Sequence, residues 1–201
     1  MRKVKSLDLN FCPRFKDEVI ELPHSLVTCD SLEVLKLFLY KHPLILPTVT
    51  GFLALRVLEL NMIELLDDDS AVGVARDLNG YFPASLPNLK TLEISTTSDD
   101  YTMKAVIRIL RCSPNLESLF DYSRGFRQEI WGTFWLVQRE LDEVLARHLK
   151  RVEFLEFNVE KRRLDMARFL LEHGKELEEM AFSWRDKDNY HEKSTETLKE
   201  V

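Results

Sequence analysis

One spacing constrains this chain more than anything else in it. Leu89, Leu92 and Ile94 stand at i, i+3 and i+5, with Glu93 between the last two. Apolar residues two apart with a charged residue between them suit a short strand that buries one face. The same frame recurs as Val4-x-x-Leu7-x-Leu9, Leu32-x-x-Leu35-x-Leu37, Leu55-x-x-Leu58-x-Leu60, Leu116-x-x-Leu119, Leu149-x-x-Val152-x-Phe154 and Leu177-x-x-Met180-x-Phe182. Its steps are 28, 23, 34, 27, 33 and 28 residues. The fifth copy breaks its own rule, because Asp121 stands where the last apolar residue belongs.

A mean step of about 29 residues lies at the upper end of the leucine-rich-repeat range. One unit cannot bury its own apolar face, so the units must stack. The expected fold is α/β: a leucine-rich-repeat solenoid, with a curved parallel sheet inside and helices and turns on the convex side. Helical returns are expected where apolar residues recur every three to four positions. Ala71, Val74, Ala75 and Leu78 do so between Ser70 and Gly80, and Met103, Val106, Ile107 and Leu110 do so before Pro114. Val137, Leu141, Val144, Leu145 and His148 form a third stripe. Leu164, Ala167, Leu170 and Leu171 form a fourth, closed by Gly174. Val19 to Leu22 and Leu44 to Val49 read as turns or single helical turns. The repeats are assigned to residues 1–134, and residues 135–201 continue the solenoid. Residues 185–201 are polar and read as a frayed tail or a short helix near Thr195 to Val201.

Composition narrows the function. The net charge of −6 argues against general nucleic-acid binding, which needs a basic footprint. There is no apolar run long enough to span a bilayer, so no membrane association is expected. Three cysteines, Cys12, Cys29 and Cys112, form no Cys-x-x-Cys pair, and no Asn-x-Ser/Thr sequon occurs. That usage points to a reducing intracellular setting, nucleus or cytoplasm.

Residues able to do chemistry are present but dispersed. His24, His42, His148, His173 and His191 form no His-x-x-x-His pair, and there is no phosphate-binding loop or nucleophile elbow. No enzymatic activity, cofactor or metal is expected. Asp67, Asp68 and Asp69 lack the spacing of a calcium loop and read as a solvated turn before the next helix. Cys29 and Cys112 shortly precede frame leucines and read as buried packing residues. Asp121 to Trp135 is rich in aromatics, with Trp131 and Trp135 one helical turn apart, and reads as a loop packed over the last repeats.

The best functional candidate is the face opposite the core. Stacking the frame sets Asp8, Lys36, Glu59, Glu93, Phe120, Glu153 and Ala181 in one column, and Asn10, Phe38, Asn61, Ser95 and Tyr122 in the next. Four carboxylates in a column repel one another unless a basic group compensates. Exposed aromatics are favoured interface anchors. The protein-binding candidates are Asp8, Lys36, Phe38, Glu59, Asn61, Glu93, Phe120, Tyr122 and Glu153. The expected ligand is an unknown target protein, gripped through basic and apolar side chains.

Several stretches resemble one family. They are Leu22 to Leu37, Ser85 to Leu92 and Ile109 to Leu119, followed by Leu149-Lys150-Arg151-Val152-Glu153-Phe154, Arg163 to Gly174 and Leu177-Glu178-Glu179-Met180. Together they look like plant F-box proteins with leucine-rich repeats and a C-terminal FBD domain, with residues 135–201 as the FBD-like part. The resemblance implies the target-binding part of a cullin-type ubiquitin ligase subunit. In such proteins an F-box docks on a Skp-like adaptor while the repeats hold the target. Val4 already lies in the strand frame and no F-box pattern precedes it. Skp-like adaptor and cullin are therefore expected partners only of a longer chain that carries an F-box. The alternatives are a stand-alone leucine-rich interaction or inhibitor module, and a truncated remnant without function.

Overall fold

Leu7, Leu35, Leu58, Leu92, Leu119, Val152 and Met180 stand abreast across a single sheet. The structure, a computed structural model, describes residues 3–11, 20–45, 51–65, 85–96, 109–122, 147–157, 161–184 and 195–197. The strands are β1 (Ser6–Asn10), β2 (Ile20–Glu21), β3 (Val34–Ile45), β4 (Val57–Leu65), β5 (Thr91–Thr96), β6 (Ser118–Asp121), β7 (Arg151–Phe157), β8 (Glu179–Trp184) and β9 (Thr195–Thr197). Two helices have both ends among the described residues, α1 (His24–Val27) and α2 (Lys161–His173). The sheet runs β1-β3-β4-β5-β6-β7-β8-β9, with β2 beside β3. Every pairing is parallel except β8 with β9. The fold is thus α/β, built on a mostly parallel sheet whose order largely follows the chain.

The recurring spacing accounts for this register. Each strand from β3 to β7 turns its frame residues inward: Leu35, Leu37, Leu58, Leu60, Leu92, Ile94, Leu119, Val152 and Phe154 are at most 3% exposed. The leucines opening these frames, Leu32, Leu55, Leu89, Leu116 and Leu149, are buried with them. The residue after each opening position carries the joint between units. Lys5 O accepts the amides of Glu33 and Val34, Glu33 O those of Arg56 and Val57, and Arg56 O those of Lys90 and Thr91. The pattern continues through Lys90, Glu117 and Lys150 to β8. Their side chains form ion pairs along the same line, Lys5–Glu33 at 2.8 Å and Lys90–Glu117 at 2.7 Å. These groups are well exposed, so such pairs add little stability each. Asparagines tie the turns: Asn88 Nδ2 donates to Leu53 O at 2.6 Å and Asn115 Nδ2 to Pro87 O at 2.8 Å.

Several expectations change. Val19 to Leu22 and Leu44 to Val49 read as turns or single helical turns, and of these Val19 and residues 46–49 lie outside the described residues. Ile20–Glu21 instead pairs with Leu44–Ile45 as β2 against the far end of β3. Strand β3 reaches that far because it bends without ending. Tyr40 has φ 48° at a register shift between Phe38 and His42, and Met62 has φ 51° at the matching shift in β4. Neither is glycine, so the sequence carries no sign of these bulges. Thr195 to Thr197 belong to an antiparallel strand rather than to a frayed tail or helix. Val4, the first frame residue, is exposed, since β1 stands at the sheet's edge.

Helix α2 forms where expected but turns another face inward. Arg163, Met166, Ala167, Phe169 and Leu170 are buried, while Leu164 and Leu171 are 40% and 61% exposed. The spacing 163, 166, 167 and 170 is helical; the pattern was hidden because its first member is an arginine. Gly174 ends the helix but does not adopt the left-handed conformation, as no glycine has positive φ among the described residues. Its use is close approach. Its amide bonds Leu170 O at 2.8 Å, and a Cβ there would lie 2.7 Å from that oxygen. Of the other expected helices, 109–112 and 147–148 are helical. The stripes from Ala71 to Leu78, Met103 to Ile107 and Val137 to Leu145 lie outside the described residues.

Two substitutions check this packing. Leu92→Ala is expected to lower stability by about 2–5 kcal/mol, because fully buried atoms are lost and the sheet cannot close the gap. Asn115→Ala is expected to cost about 1 kcal/mol through the lost bond to Pro87 O. Urea unfolding midpoints of the two variants read both.

Candidate recognition face

Because side chains alternate along a strand, burying one row turns the next to the opposite face. The register sets Asp8, Lys36, Glu59, Glu93, Phe120, Glu153 and Ala181 in one row across seven strands. Asn10, Phe38, Asn61 and Ser95 form the second row. Tyr122 follows β6 and extends it, its amide donating to Ile94 O at 2.7 Å. All nine candidate residues therefore lie on this face. Asp8 and Asn10 are exposed, the others half-buried, and the row ends at Ala181, which is buried.

The carboxylates are partly compensated from within the chain. Lys36 Nζ lies 2.6 Å from Glu59 Oε2, and Asn61 Nδ2 donates to Glu59 Oε1 at 2.6 Å. The hydrogen bond from Lys36 to Glu59, then the Glu59 charge, raises the Lys36 pKa above its ordinary value. Glu153 receives Arg151 Nη2 at 3.1 Å and faces Ser183 Oγ at 3.5 Å. Arg151 also sits over the Phe120 ring, 5.6 Å from its centroid. Glu93, between Glu59 and Phe120, is treated differently. Burial, then the Glu59 charge, raises its pKa, while the Tyr122 hydroxyl and Lys36 pull it down. Burial and the Glu93 charge in turn push the Tyr122 phenol up to about 12. Burial first and the Glu59 charge second thus both work against the ionised form of Glu93.

Sequence reasoning missed Arg151, Ser183 and Tyr40. The first two were readable, since Arg151 shares a strand face with Glu153, and Ser183 follows Ala181 by two. Tyr40 was not, because it sits in the bulge itself, with a positive φ that alternation does not foretell. Its ring meets Phe38 edge-on, centroids 4.6 Å apart, and it is 49% exposed. The cysteines are less deeply placed than expected: Cys29 and Cys112 are half-buried, although Cys29 does pack against the core. Hydrogen bonds from the Ser31 side chain and backbone lower the Cys29 pKa, with Sγ 3.5 Å from Ser31 Oγ. Among the described residues no three His, Cys, Asp or Glu side chains gather to hold a metal ion. Asp67 to Asp69, Trp131 and Trp135 lie outside the described residues.

A mostly parallel sheet presenting an ordered polar and aromatic face is the setting in which the comparisons with known proteins stand. The FBD family matches residues 143–182, a span that holds β7, α2 and most of β8. FBD domains are associated with F-box proteins, which is consistent with a role in protein interaction. No curated protein matches the chain, and no solved structure does.

The raised pKa of Glu93 sets a sign for its pH dependence. The folded state holds this proton more tightly than the unfolded chain does, so stability is lost as pH rises from the ordinary value of 4.5 through the folded pKa. Glu93→Gln is expected to unfold at higher urea than the parent at pH 7, with the gap closing below 4.5. The same variant is expected to lower the Tyr122 pKa from about 12, read by titration of the ring signals. A gap that stays constant with pH would show that Glu93 is not strained by its charge.

Proposed function

We propose that the chain is a protein-recognition module, the target-binding part of an F-box-type subunit of a cullin ubiquitin ligase. It is read as a leucine-rich-repeat solenoid of plant type, intracellular, without cofactor and without chemistry of its own. The observation that carries this reading is the pair of in-register rows holding Glu59, Glu93, Glu153, Phe38, Phe120 and Tyr122. The FBD match at residues 143–182 supports the family context. The target is a protein segment with basic and apolar side chains, the basic group facing Glu93 and an apolar one facing Phe38 and Tyr40. A cationic group would relieve the repulsion on Glu93, and half-buried aromatics lose little further entropy when covered. Skp-like adaptor and cullin belong to this reading only if the full-length protein carries an F-box.

The test begins with proteins that co-purify with the tagged chain from its native tissue. Each is then retested in purified form against Glu59→Lys/Glu93→Lys. Capture is expected to weaken at least about tenfold and to fall with added salt. Unchanged capture by the folded double variant moves the site off this face. A captured protein ubiquitinated only when the full-length chain is present supports the ligase reading. Capture without ubiquitination supports the stand-alone module.

A further inference from the structure

Asp121 interrupts an apolar frame, and Arg163 interrupts the apolar face of a helix. The two meet. Asp121 is 6% and Arg163 5% exposed, and Arg163 Nε lies 3.2 Å from Asp121 Oδ2, close enough for an ion pair though not aligned for a hydrogen bond. Both terminal nitrogens of the guanidinium bond main chain. Nη2 donates to Asp121 O and to Leu155 O, each at 2.9 Å, and Nη1 donates to Glu156 O at 3.1 Å. The Phe154 and Phe157 rings flank it, with centroids at 5.6 and 5.1 Å. Glu156 has φ 50° at the register shift of β7, so Arg163 also bonds the carbonyl of a residue in the left-handed region.

We infer that Arg163 is a positioning residue for the recognition face, acting through Asp121. Strand β6 is short, and Asp121 is its last residue. Its neighbours on either side, Phe120 and Tyr122, project to the recognition face. Fixing the Asp121 side chain inward and its carbonyl on Arg163 fixes the direction of both neighbours. A guanidinium suits this task because its planar fork reaches several carbonyls and a carboxylate at once, which an ammonium cannot do. Arg163 lies inside the FBD-matched span and Asp121 lies outside it. The helix of the matched segment therefore sets the geometry of a strand that the match does not include.

The function given to Phe120 and Tyr122 rests on the preceding proposal, so the experiment uses no binding partner. Hydrogen exchange of the full chain is followed at the Tyr122 amide, together with the Tyr122 ring signals, assigned by Tyr122→Phe. Arg163→Lys keeps the charge and removes the fork. It is expected to speed exchange at Tyr122 about tenfold or more and to move the ring signals, with amides of β3 and β4 unchanged. Faster exchange confined to residues 161–173, with Tyr122 as in the parent, overturns the inference and leaves Arg163 as a support for α2 alone. If Arg163→Lys fails to fold, Asp121→Leu/Arg163→Met decides. Apolar contact is expected to refill the slot and restore folding, yet Tyr122 exchanges faster than in the parent because the carbonyl bonds are gone. Full parental protection there would overturn the inference. Unchanged partner capture by the folded Glu59→Lys/Glu93→Lys variant, with Tyr122 protection intact, would count against the recognition face and not against this clamp.

Discussion

A strand in a parallel sheet can satisfy its backbone only through strands from distant parts of the chain. Here that requirement is met at one repeated point, the carbonyl after each opening leucine, which takes two amides from the next strand. The arrangement repeats from Lys5 to Lys150. It holds seven strands in one register, and from that register come both the closed leucine interior and the aligned polar rows opposite. Shifting any strand by one residue would exchange the two faces. Burial of Leu35, Leu58, Leu92 and Val152 is what forbids such a shift.

The frame could be read from spacing because it obeys one rule, alternation with apolar residues at fixed offsets. Its strands and the two rows of candidate residues follow from that rule alone. The failures came where another interaction overrode it. Tyr40 and Met62 adopt positive φ without being glycine, and they carry β3 and β4 past the bend to make room for β2. The buried face of α2 was misread because a charged residue holds a core position, and its match, Asp121, looked like decay in the fifth copy. Each anomaly resolves the other. A carboxylate in an apolar slot and an arginine in an apolar stripe are, taken together, the sequence signal of a buried pair.

The candidate face shows a similar division of labour. Glu59 and Glu153 are held by a lysine and an arginine from this chain, so much of the column's repulsion is settled before any ligand arrives. Glu93 relies on the Tyr122 hydroxyl, and both titrate away from their ordinary values. Its position beside Phe120 makes it the place where a cation would change the electrostatics most. The aromatic pair Phe38 and Tyr40 adds apolar surface a few strands away. Aromatic and charged side chains thus alternate across the sheet, with Phe120 and Tyr122 beside Glu93 and Phe38 on the strand of Lys36.

The last strand has a consequence for how such a sheet can continue. β9 runs against β8, whereas every earlier neighbour runs with it. A strand laid against β9 in the common direction would pair antiparallel, with a hydrogen-bond spacing unlike that of the parallel ladders. The parallel register is therefore continued only between strands that already share a direction, and β9 marks where that rule changes.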